Sequence, residues 1–102
     1  MPIRYRALTT LSFAFLVAAR SAQALSADET LREWRMAPAE ERLALSTAMM
    51  RRVTSGLSDH ELENRGASLL QCVNDVAGNG GLDSLKIAEI AGTCIAIGKL
   101  DK

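Results

Sequence analysis

The most reactive side chains in this 102-residue sequence are two cysteines, Cys72 and Cys94, and a single histidine, His60. Thiol–disulfide exchange of the thioredoxin type needs two cysteines two residues apart beside a helix start, whereas these stand 22 positions apart. A thiolate nucleophile needs a base within hydrogen-bond reach. On one continuous helix His60 and Cys72 are twelve residues, about 18 Å, apart, so they form no dyad. Zinc takes four ligands, usually cysteine and histidine, and the chain has three such residues. What remains is a structural disulfide between Cys72 and Cys94, with free buried thiols as the alternative.

Glu40/Glu41 and Glu61/Glu63 are the paired carboxylates that general acid–base catalysis would need. Both pairs sit where a helix begins, and negative charge there complements the helix dipole without any catalytic role. His60, between Asp59 and Glu61, reads as a solvated side chain. Asn79-Gly80-Gly81 has the glycine content of a phosphate-cradling loop but lacks the Lys-Ser/Thr after it and the strand before it. No nucleophile, base and oxyanion donor can be assembled, so an enzyme is not expected, nor is a cofactor or a metal. Trp34, Met36, Met49 and Met50 are the candidate partner-binding residues. Methionine suits adaptable apolar surfaces, and a short helix carrying Trp34 that lifted away would open a groove between the next two helices. The competing expectation is that these side chains fill the core.

The elements that position these residues are marked by their caps. Ser26-Ala27-Asp28-Glu29 has the spacing of a capping box and predicts a short first helix over 27–35, with Leu31 and Trp34 facing inward. Pro38 suits the first position of a second helix, with Glu40 and Glu41 in its first turn, Arg51 and Arg52 near its last, and Gly56 beyond. Leu43, Leu45, Met49, Met50 and Val53 fall on one half of its wheel, where Arg42 and Ser46 intrude. A second box, Ser58-Asp59-His60-Glu61, opens a third helix running to about Ala77. Its stripe is Leu62, Gly66, Leu69, Val73 and Val76. Gly78-Asn79-Gly80-Gly81 ends it. A fourth helix starts between Asp83 and Lys86 and ends at Gly98, with Ile87, Ile90, Ala91, Cys94, Ile95 and Ile97 on its inner side and a frayed tail, 99–102. The expectation is an all-α domain over 25–102, a small bundle of three main helices plus a short leader helix. Helices three and four form a disulfide-linked hairpin, because in that arrangement Cys72 and Cys94 differ in level by only about 4–5 Å.

Residues 1–24 have a basic start (Arg4, Arg6), an apolar run from Ala7 to Ala19 and the small-residue triplet Ala22-Gln23-Ala24, the layout of a signal peptide cleaved after Ala24. Thirteen residues span roughly 20 Å as a helix, short of a bilayer's hydrocarbon core, so no stable membrane span is expected after processing. Removal takes Arg4, Arg6 and Arg20 from 12 basic residues and none of the 12 acidic ones, which leaves a net charge of −3. Trp34 becomes the one aromatic residue. A mildly acidic chain with a single ring is a poor nucleic-acid binder, which would need clustered Lys/Arg or stacking rings.

The expectation is therefore an exported protein, periplasmic or secreted, that binds another envelope protein. The alternative is a purely structural accessory domain of an envelope complex. In its general form, a short exported helical chain with one cysteine pair, it resembles periplasmic acid-stress chaperones. That resemblance implies a chaperone-like role; an inhibitor or immunity role fits equally.

Overall fold

The computed structural model describes residues 24–102. The signal-peptide reading rests on residues 1–24 and, apart from Ala24, lies outside the described residues. Four helices follow one another: α1 (Leu31–Met36), α2 (Ala39–Val53), α3 (Asp59–Ala77) and α4 (Ile87–Gly98). The all-α class and the order of elements are those the periodicity predicts.

The longest helix, α3, is the axis against which α1, α2 and α4 all pack. Its start is set by the Ser58 box. The Glu61 N–H donates to Ser58 Oγ at 3.2 Å, and the Ser58 N–H donates to Glu61 Oε1 at 3.1 Å. Its buried row is Leu62, Gly66, Leu69, Val73 and Ala77. The stripe is as read from the sequence up to Val73, where Ala77 takes the place given to Val76.

The α2–α3 crossing departs from the wheel. The buried residues of α2 are Ser46 and Met50, while Leu43 and Val53 are 40% and 47% exposed. Gly66 explains the rotation. A Cβ there would stand 3.0 Å from Thr47 Cα and run into Thr47 Oγ1, so the two backbones meet where only small side chains fit. Thr47 fills that contact, and the buried Ser46 beside it returns its hydroxyl to the Arg42 carbonyl at 2.9 Å, which satisfies it within the helix.

The leader is capped one box later than Ser26 suggests. Thr30 is the N-cap of α1, and its N–H donates to Glu33 Oε1 at 3.0 Å. The Ser26 box closes only a turn, with the Ser26 N–H on Glu29 Oε1 at 2.8 Å. The reason is non-local, because segment 27–32 lies antiparallel to segment 83–88. Leu31 and Arg32 N–H groups donate to the Leu85 and Asp83 carbonyls at 2.9 and 3.3 Å. Ile87 and Ala88 N–H groups donate to the Glu29 and Ala27 carbonyls at 2.8 and 3.0 Å. The first two amides of α1 and of α4 are thus satisfied by the chain that precedes the other helix. An Arg35–Asp83 ion pair flanks the junction. Pro38 stands at the N-cap of α2, one residue before the position expected for it.

The chain end is held. Leu100 N–H reaches the Ile95 carbonyl at 3.0 Å and Lys99, at φ 52°, reaches Ala96 at 3.4 Å, a Schellman closure of α4. Arg65 on α3 donates to the carbonyls of Leu100 and Lys102. The expected fraying of 99–102 is therefore corrected by a side chain 35 residues upstream of Leu100. Ile97, placed inward by the wheel, is 78% exposed, because among the described residues α4 has a full helical neighbour only in α3.

Candidate functional site

Cys72 and Cys94 are bonded to each other, with Cα atoms 6.0 Å apart, inside the usual range for a disulfide. They join α3 to α4 across the connection between them, and no thiol is left for exchange, nucleophilic attack or metal binding among the described residues. His60 is exposed on the first turn of α3, with Asn64 Nδ2 3.5 Å from its Nε2.

Of the carboxylates that could be imagined as acids or bases, Glu61 caps α3, and Glu40 and Glu41 lie in the first turn of α2. The backbone N–H of Ser58, and after it the Ser58 hydroxyl, hold the Glu61 carboxyl below the ordinary glutamate range. The Thr30 hydroxyl, followed by its backbone N–H, does the same to Glu33. A carboxylate held in this way is a weaker base than a free one. Among the described residues, no three His, Cys, Asp or Glu side chains come together as metal ligands would. No helix among them is long and apolar enough to cross a membrane.

The four candidate binding residues divide into two pairs. Trp34 and Met50 are fully buried. The Trp34 indole N–H donates to Asn74 Oδ1 at 2.8 Å, and the same oxygen accepts from Arg42 Nη1 at 2.9 Å. One amide oxygen on α3 therefore fastens α1 and α2 together. Arg42, an intrusion on the wheel, lies on the buried side because it has this partner. With its ring enclosed and its one donor satisfied, Trp34 is a core anchor of the described fold and not a surface platform.

Met36 lies on the surface, and Met49 is partly covered, packed against the core. Met49, half-buried, lines a depression of about 330 Å³ with Leu25, Leu45 and Ala48, edged by Asp28 and Arg52. Met36, 75% exposed, lines a second depression of about 270 Å³ with Leu25, Ala37 and Pro38, edged by Glu29, Glu33 and Glu41. Leu25 belongs to both, so the two methionines flank one leucine, with an acidic margin beside Met36 and one of mixed charge beside Met49. Sequence reasoning missed Leu25, the first residue after the expected cleavage point; its only signal was a large aliphatic side chain ahead of the first cap. A larger depression of about 530 Å³ runs between α2 and α3, floored by Leu43, Ala44 and Ala67 and edged by Arg51, Asp59 and Glu63.

Compared with known proteins, the chain matches no family model, and no curated protein and no solved structure aligns with it.

Proposed function

We propose that the mature chain is an exported, non-enzymatic helical protein that binds another protein of the cell envelope through the strip formed by Leu25, Met36, Leu45 and Met49. The observation that carries this reading is Met36, a large apolar side chain 75% exposed at the edge of a depression it shares with Leu25. Flexible thioethers adapt to partners of differing shape without a precise pocket. The three glutamates on the margin favour a partner segment that offers apolar side chains followed by basic ones. A chaperone-like or an inhibitor-like role would use the strip in the same way, differing in how many partners it accepts.

The test is site-specific photo-crosslinking in the native envelope fraction, with the reactive residue placed at Met36 or at exposed Gln71 on α3. A discrete adduct from position 36 alone supports the proposal. If both positions trap the same species, or neither traps any, the binding role is wrong and the structural accessory domain becomes the better reading.

A further inference from the structure

Asn79-Gly80-Gly81, which holds no phosphate signature, has a different reactivity. The turn that ends α3 leaves Asn79, Gly80 and Gly81 exposed. Gly80 has φ +77°, and a Cβ at Gly80 or Gly81 would meet nothing within 4 Å. The Gly80 N–H makes a long turn bond, 3.4 Å to the Ala77 carbonyl. The chain's other asparagines are placed differently. Asn64 and Asn74 lie inside α3, where the following residues' amides belong to the helical ladder, and Asn74 Oδ1 is held by both Trp34 and Arg42.

We propose that Asn79 is a site of spontaneous covalent modification, closing on the backbone nitrogen of Gly80 to a succinimide that water opens to aspartate and isoaspartate. The Gly80 nitrogen, giving up its proton to solvent base, attacks Asn79 Cγ. The N–Cγ bond forms, the Cγ–Nδ2 bond breaks and Nδ2 leaves as ammonia. Water then adds to one of the two ring carbonyls. Cleavage of the bond between the nitrogen and Cγ gives aspartate, and cleavage of the bond between the nitrogen and the main-chain carbonyl carbon gives isoaspartate, with the side-chain carbon now in the backbone. Nothing is oxidised or reduced, and water is the only reagent consumed. Glycine is needed at position 80 because any side chain there would hinder the approach and resist the positive φ.

The product carries a new carboxylate just beyond the C-terminus of α3, whose last turn has no basic residue to balance it. The Cys72–Cys94 bond spans the turn, so α3 and α4 stay joined after the change. The modified chain is then a folded substrate for methyl-transferring enzymes that act on isoaspartyl groups.

The test incubates the disulfide-bonded chain at mildly alkaline and mildly acidic pH and maps its peptides by mass spectrometry, with enzymatic methylation to detect isoaspartate. The expected result is a one-dalton gain on the Asn79 peptide, split between two products, faster at alkaline pH and at least an order of magnitude faster than at Asn64 or Asn74. Asn79→Gln should abolish it with the helix content unchanged. The proposal is overturned if Asn79 stays intact in the folded chain while the urea-unfolded chain converts, or if all three asparagines convert at one rate.

Discussion

Replacing Asn74 by alanine removes one oxygen and leaves two donors without an acceptor. The Trp34 indole N–H is enclosed in a side chain with no exposed surface, so it cannot turn to water. Arg42 loses its Nη1 partner on a guanidinium whose Nε is already buried and unpaired. An orphaned buried donor costs about 1–3 kcal/mol, and a bond to a charged group is worth about 1.5–3 kcal/mol. Arg42 is half-buried and recovers part of its loss through solvent, so the indole dominates. The expected destabilisation is about 2–4 kcal/mol, a large share of the roughly 4–12 kcal/mol that a domain of about 80 residues commands. Urea unfolding followed by far-ultraviolet circular dichroism measures it, and Trp34 fluorescence reports on the same transition. The double-mutant cycle with Trp34→Phe isolates the bond, because without the indole N–H the same change at Asn74 should cost about 1 kcal/mol less. A loss below about 0.5 kcal/mol, or strict additivity in the cycle, would refute the shared oxygen as a fastening between α1, α2 and α3.

Three further expectations follow from the same packing. Gly66→Ala should destabilise by about 1–3 kcal/mol by pushing α2 away, whereas Gly92→Ala on the open face of α4 should stabilise by about 0.5–1 kcal/mol; thermal unfolding of the two variants must move in opposite directions. Replacing Cys72 and Cys94 together by serine should cost roughly 3 kcal/mol in the chain-entropy account, and an unchanged urea midpoint would mean that packing alone closes the hairpin. Glu61 has its folded-state pKa lowered by Ser58, so its capping contribution is complete above the ordinary glutamate range and is lost as pH falls through the lowered value. Urea midpoints taken from neutral to acid pH should fall less steeply for Glu61→Gln, and parallel curves would remove Ser58–Glu61 as a source of acid sensitivity.

What could be read from the sequence was what neighbouring residues decide among themselves. The Ser58–Glu61 box and the Leu62, Gly66, Leu69, Val73 row arise within one helix, and the structure keeps both. The level of Cys72 against Cys94 needed only helix rise and a turn. The misplaced parts depend on distant partners. Two capping boxes stand in tandem at Ser26 and Thr30, and the backbone of 83–88 selects the second as the helix start. Arg42 looks like an error on a wheel until Asn74, 32 residues away, supplies an acceptor, and Ser46 until Gly66 lets the neighbouring Thr47 come close and turns this side of α2 inward. The candidate binding residues divided for the same reason. A methionine at helical spacing carries no mark of whether another helix will cover it, and the fold buries Met50 while leaving Met36 open.

The crossed amides of α1 and α4 also set a schedule. A ribosome delivers Thr30 long before Leu85, and until residues 83–88 arrive α1 lacks the carbonyls that finish its first turn, even though α3, whose Asn74 holds the Trp34 indole, has already emerged. Contacts of such wide separation form late, after the intervening loop has been closed. Segment 27–32 therefore waits, its first helical amides unpaired, until segment 83–88 emerges, and the two set together.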